Sequence, residues 1–103
     1  MSEFQLIEHK HGEYRLVGEI TFATVSRALA ATAPLFGDGC RLRFDLKDVR
    51  RADSAGVALL IEWLRRARQA GGTVCYTHLP EPLKAMIRVG GMAELLPVDS
   101  SLS

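Results

Sequence analysis

"FDLKDVRRADSAGVALLIEWLRRARQAGG", residues 44–72, holds a strand, a connection and a helix in succession, and the rest of the chain can be placed around it. It opens as the end of a strand, crosses a short polar connection and continues as an apolar-rich helix closed by two glycines. Just upstream and into it, "RLRFDL" (41–46) alternates Leu42, Phe44 and Leu46 with polar residues, the period-two pattern of a half-buried strand. "KDVRRADS" (47–54) reads as the connection, and the helix is expected over Ser54 to Ala70. Gly71 and Gly72 supply a left-handed exit, and "TVCYTH" (73–78) is a further strand.

Working outward, "FQLIEH" and "YRLVGEI" flank the turn candidate "KHGE" and form a β-hairpin, with Phe4, Leu6, Tyr14 and Leu16 among its packing residues. "TFATVSRALAATAPLF" is expected to be a helix capped by Thr21, with Phe22, Val25, Leu29 and Ala33 at near-helical spacing, ended by Pro34 and "GDGC". "LPEPLKAMIRVGG" holds a third helix, with Pro82 in its first turn and Gly90-Gly91 at its end. "AELLPV" is expected to make a helical turn and a last short strand, and "DSSLS" (99–103) a frayed tail. A hairpin followed by alternating strands and helices implies an α/β domain with a mixed sheet. The chain is read as one domain over 1–103, ordered over about 4–98, with no internal repeat or linker.

Composition narrows the function classes. The chain has 103 residues, 48% hydrophobic and 24% charged, the profile of a soluble globular protein. A formal charge of +1 argues against a general nucleic-acid binder. "MSEFQLIEHK" carries acidic residues where a signal peptide would be apolar, and no apolar run approaches the ~20 residues of a membrane span, so a cytosolic location without membrane insertion is expected. Cys40 and Cys75 have neither CxxC nor Cys/His spacing and read as reduced, small hydrophobes. His9 and His11 are two ligands at most and make no metal site, so no metal and no cofactor is expected. Ser54 lies outside any G-x-S-x-G elbow, and there is no G-x-x-x-x-G-K-[ST] loop, so the chain is read as a non-enzyme that does not hydrolyse nucleotide itself.

On a helical wheel, Val57, Leu60, Ile61 and Leu64 of the central helix form the stripe expected to face the sheet. Glu62, Arg65, Arg66 and Gln69 lie roughly opposite, with Ala58 among them, and Leu59 and Trp63 flank the stripe. Two readings of Trp63 stay open: packing under a neighbouring element, or edging a partner surface together with Leu59. The arginines at 65, 66 and 68 read as a solvated face paired with Glu62, or as a site for an acidic partner or phosphate. At the helix start, Asp53 or Ser54 can cap the exposed N–H groups. A phosphoryl group on Ser54 would use the same positive helix end, opposed by Asp53. Gly56 costs ~1 kcal/mol against alanine inside a helix, a cost explained if another backbone must approach closely there.

"FDLKDVRRADSAGVALLIEWLRRARQAGGTVCYTHLPEPLKAMIRVGGMAELLPV" resembles a STAS domain. The shared pattern is a strand ending in Asp-Leu, a short loop, Asp-Ser/Thr-x-Gly (here Asp53, Ser54, Ala55, Gly56), an apolar helix, a strand and a closing helix. It covers residues 40–98 well and the amino-terminal third by topology. Ala55 occupies the variable motif position, and Val57 stands where leucine is common. The resemblance implies a mixed sheet of about four strands with helices packed on one face.

Two branches of that family compete. The downstream wording is similar to the MlaB-type subunit that docks on the ATPase of an ABC phospholipid transporter maintaining outer-membrane lipid asymmetry. That branch implies a regulatory and scaffolding partner for the ATPase at the inner-membrane face, with Asp53, Ser54, Ala55, Gly56, Ala58, Leu59, Glu62 and Trp63 at the contact. The other branch, the anti-sigma-factor antagonists, implies a serine-kinase partner and phosphorylation of Ser54.

Overall fold

The computed structural model describes residues 3–91. In chain order they form β1 (Phe4–Lys10), β2 (Glu13–Ile20), α1 (Val25–Thr32), a 3-10 turn (Ala33–Leu35), β3 (Arg41–Ala52), α2 (Ser54–Gln69), β4 (Thr73–Thr77) and α3 (Glu81–Val89). The strands make one sheet in the order β1-β2-β3-β4. β1 and β2 are the expected antiparallel hairpin, pairing Leu6 with Leu16 and Glu8 with Tyr14. β3 lies parallel to β2 and β4 parallel to β3, because a helix separates each pair of strands in the chain. The arrangement is a mixed four-stranded α/β sheet with three helices. The expected turn and strand at "AELLPV" and the tail lie outside the described residues.

Two expectations change. Residues 47–52 are not a loop: β3 continues through them, pairing Asp48 with Val17, Val49 with Gly18 and Ala52 with Ile20. Register shifts between Arg15 and Val17 and between Gly18 and Glu19 offset the alternation, so the buried Leu46 and Val49 are three residues apart and the period-two signal breaks. As a result a single residue, Asp53, separates the end of β3 from the start of α2.

The second change is at α1, which begins at Val25 rather than beside Thr21. The Thr24 hydroxyl, fully buried, donates to the Glu19 carbonyl at 2.8 Å and accepts from the Thr21 N–H at 2.9 Å, stitching residues 21–24 into a turn. That turn carries Phe22 outward, where its residue surface is 82% exposed instead of packed.

The core forms where one sheet face meets the helices. Phe44 is at its centre, with ring centroids 4.6 Å from Trp63, 6.0 Å from Tyr14 and 6.3 Å from Tyr76. The polar handles of these rings are satisfied. Trp63 Nε1 donates to Thr32 Oγ1 at 2.8 Å, and the Tyr76 hydroxyl donates to the Leu60 carbonyl at 2.6 Å. Burial drives the Tyr76 phenol pKa upward, so it stays a neutral donor. Among the described residues no buried side-chain N or O lacks a partner. The opposite face of β3, with Arg43, Asp45 and Lys47, is left outside this core.

Candidate functional site

The start of α2 is built around one carboxylate. Asp53 is the N-cap: its Oδ1 accepts from the Ala55 N–H at 2.9 Å, satisfying one of the helix's free donors. Its Oδ2 accepts from the Phe22 N–H at 3.2 Å, tying the turn before α1 to the tip of α2. Capping therefore falls to Asp53. Ser54, the first helical residue, is exposed, and its hydroxyl makes no hydrogen bond among the described residues.

Gly56 does meet a close backbone, but one of its own chain. A Cβ built there would lie 2.8 Å from the Ile20 carbonyl oxygen and 3.3 Å from the Ile20 side chain. The glycine lets α2 settle on the end of β2 and is buried there. Its role in the motif is internal packing, and the half-buried Ala55 beside it turns only partly outward.

The face α2 buries is rotated from the expected one. Gly56, Val57, Leu59, Leu60, Trp63 and Ala67 are buried, whereas Ile61 is 41% exposed and Leu64 half-buried. Leu59 (1% exposed) and Trp63 (0%) therefore cannot line a partner surface, contrary to that reading of the sequence. The apolar arc of α2 is wider than one sheet contact needs, and periodicity does not say which part of it faces inward. The bulk of Trp63 and its bond to Thr32 place the centre of the buried face there. Glu62 is also occupied, holding Arg65 at 2.6 Å and Arg66 at 2.9 Å. The hydrogen bonds from Arg65 and then Arg66 lower its carboxyl pKa to about 2.

Along the outward side of α2 runs a groove, floored by the buried Val57. Ser54, Val57, Ala58 and Ile61 of α2 face Ala85, Met86, Val89 and Gly90 at the α3 side, enclosing about 580 Å³ open to solvent. Ser54 and Ala58 are thus the two expected contact residues that the structure brings to an accessible apolar surface. Ile61, Met86 and Val89 (89% exposed) were not expected there. The signal for α3 was present in its surplus of apolar residues, since Leu83 and Ile87 alone are its buried pair. Phe22, whose backbone N–H is held by Asp53, is a further exposed apolar residue but does not line the groove.

Elsewhere, His9 and His11 are exposed, and no group of three or more His, Cys, Asp or Glu among the described residues could hold a metal. His78 follows β4 with its Nδ1 3.0 Å from Asp45 Oδ1, and Cys40 and Cys75 are half-buried thiols. No helix among the described residues is long and apolar enough to cross a membrane.

Comparison with known proteins agrees with this architecture. The family model described as "Mlab, STAS domain" matches residues 7–97. The anti-sigma-B factor antagonist of Bacillus subtilis (strain 168) is 24% identical over 88 residues, covering 85% of this chain and 81% of that protein. The solved anti-sigma factor antagonist from Mycobacterium paratuberculosis has a TM-score of 0.75 at 19% identity, over 99% of this chain and 88% of that one. The Bacillus cell fate determinant SpoIIAA, in its phosphorylated form, has a TM-score of 0.69 at 16% identity, over 95% of this chain and 92% of its own. At such identities the solved structures show a shared fold. The family match runs from within β1 to beyond α3 and takes in both helices of the groove, and by it the chain belongs to the STAS domain family.

Proposed function

We propose that this chain is a non-catalytic docking subunit of the cytoplasm, which binds the ATPase of an ABC-type phospholipid transporter at the inner-membrane face and stabilises or activates it. The observation that carries this reading is the solvent-open apolar groove with Ser54 and Ala58 on its rim. A contiguous exposed apolar surface is the usual mark of a protein contact. The Mlab description of the matching family supports the choice of partner.

The test is co-purification with an ABC-transporter ATPase from the native host, using Ala58→Arg, which puts a long cation over the groove from an exposed helix position. The variant should keep its thermal transition and lose the ATPase. Full retention of the ATPase by the folded variant would overturn the reading.

A second reading, an anti-sigma-factor antagonist switched by a serine kinase, is favoured by one observation: the Ser54 hydroxyl is exposed and has no hydrogen-bond partner among the described residues. A phosphoryl group there would bring about −1.5 to −2 of charge to a helix N-terminus whose cap is already an anion. The curated relative and the SpoIIAA fold match support it as well. Intact mass from the native host separates the two, since a phosphorylated fraction abolished by Ser54→Ala belongs to this second reading.

A further inference from the structure

The outward stripe of α2 runs Ser54, Ala58, Ile61, Arg65 and Arg68, all exposed. Steps of four, three, four and three residues place them on one line of the helix, ~21 Å long at ~1.5 Å per residue. Its first three members line the groove, whose walls carry no ionisable side chain. Its last two are cations. Arg65 is held by Glu62, while Arg68 has no carboxylate partner among the described residues. The docking line is therefore apolar at the motif end and positive at the other.

Resting on the docking function proposed above, we infer that the groove's occupant is an amphipathic helix of the protein partner. That helix is apolar over about two turns and bears Asp or Glu one to two turns further on. Its apolar ridge lies between α2 and α3, and its carboxylate meets Arg68, with Arg65 free to exchange from Glu62. The helical spacing of the receiving stripe favours a helix. A lipid acyl chain fits less well, because the groove is open along its length and would leave much of the chain in water. The polarity of the stripe also sets the direction in which the partner lies.

The experiment places p-benzoylphenylalanine at position 61 of the full chain in the native host, followed by irradiation and mass-spectrometric mapping of the attached segment. The expected product is a peptide with apolar residues at helical spacing and a carboxylate one to two turns beyond. Arg68→Glu should cut the yield by about tenfold at physiological salt, with Arg50→Glu, a reversal on β3, leaving it unchanged. A peptide without such a carboxylate, or a yield indifferent to Arg68→Glu, overturns the inference while leaving docking itself standing, whereas attachment to a lipid overturns the docking reading as well. No adduct at position 61 overturns both.

Discussion

Gly56→Ala tests whether the motif glycine serves the fold or a foreign chain. The added methyl would sit 2.8 Å from the Ile20 carbonyl oxygen and 3.3 Å from two Ile20 side-chain carbons. The closer atom is backbone, and Ile20 is fixed in the parallel ladder opposite Ala52, so it cannot yield cheaply. Alanine gains ~1 kcal/mol of helix propensity over glycine, while overpacking a tight site costs ~1–3 kcal/mol. Because the obstructing atom cannot rotate away, the balance should fall at a net loss of ~1–2 kcal/mol. At ~4–8 °C per kcal/mol for a domain of this size, the midpoint should drop by at least ~4 °C. Thermal unfolding followed by circular dichroism reads this directly. Gly37→Ala is the control, since a Cβ there meets nothing within 4 Å and should be close to neutral. A Gly56→Ala protein as stable as the parent would refute the packing argument. Unchanged stability with loss of the partner would return the glycine to a docking role.

Two further outcomes follow from the same region. Asp53→Ala removes both the helix cap and the tie to Phe22 and should cost ~1–2 kcal/mol, with faster hydrogen exchange at the Phe22 amide; unchanged exchange there would mean the tie is absent in solution. The Glu62 carboxyl is lowered from 4.5 to about 2 by Arg65 and Arg66, so its stabilisation is present above about pH 4.5 and is lost as pH falls towards 2. Since the arginines are partly exposed, the effect should not exceed ~1 kcal/mol, and the stability gap between the parent and Glu62→Gln in urea should narrow from about pH 6 to about pH 3. An equal gap at both pH values would refute the ion-pair account.

The hairpin, the start of α2 at Ser54, the Gly71 exit and the span of α3 were legible because each has a local cause: alternation, a capping carboxylate, a residue with φ +70°, and Pro82 followed by the paired Gly90 and Gly91. The length of β3 was not, because its pairing with β2 shifts register twice and a bulge looks like a loop when only alternation is read. The inward face of α2 was not, because its apolar arc exceeds one contact, and the choice between Ile61 and Trp63 depends on Thr32 and Phe44, which are distant in sequence. Phe22 misled for a related reason. Its spacing from Val25 suits a helix, but the hydroxyl of Thr24 turns back to Glu19 and starts the helix one turn later. At the site, the exposure of Ser54 could be read from the motif and that of Ala58 from the polar side of the helical wheel, whereas the far wall of the groove needed the docking of α3 against α2.

The joint at Asp53 has a kinetic meaning. With one residue between a twelve-residue strand and a sixteen-residue helix, the motif has no slack in which to swing, and both carboxylate oxygens are already committed to it. Any molecule arriving at Ser54 meets a preset shape and loses little chain disorder by binding, which favours a fast approach and a lifetime governed by side-chain fit. It also means that bulk or charge added at Ser54 acts on a platform whose capping carboxylate is already held at both oxygens.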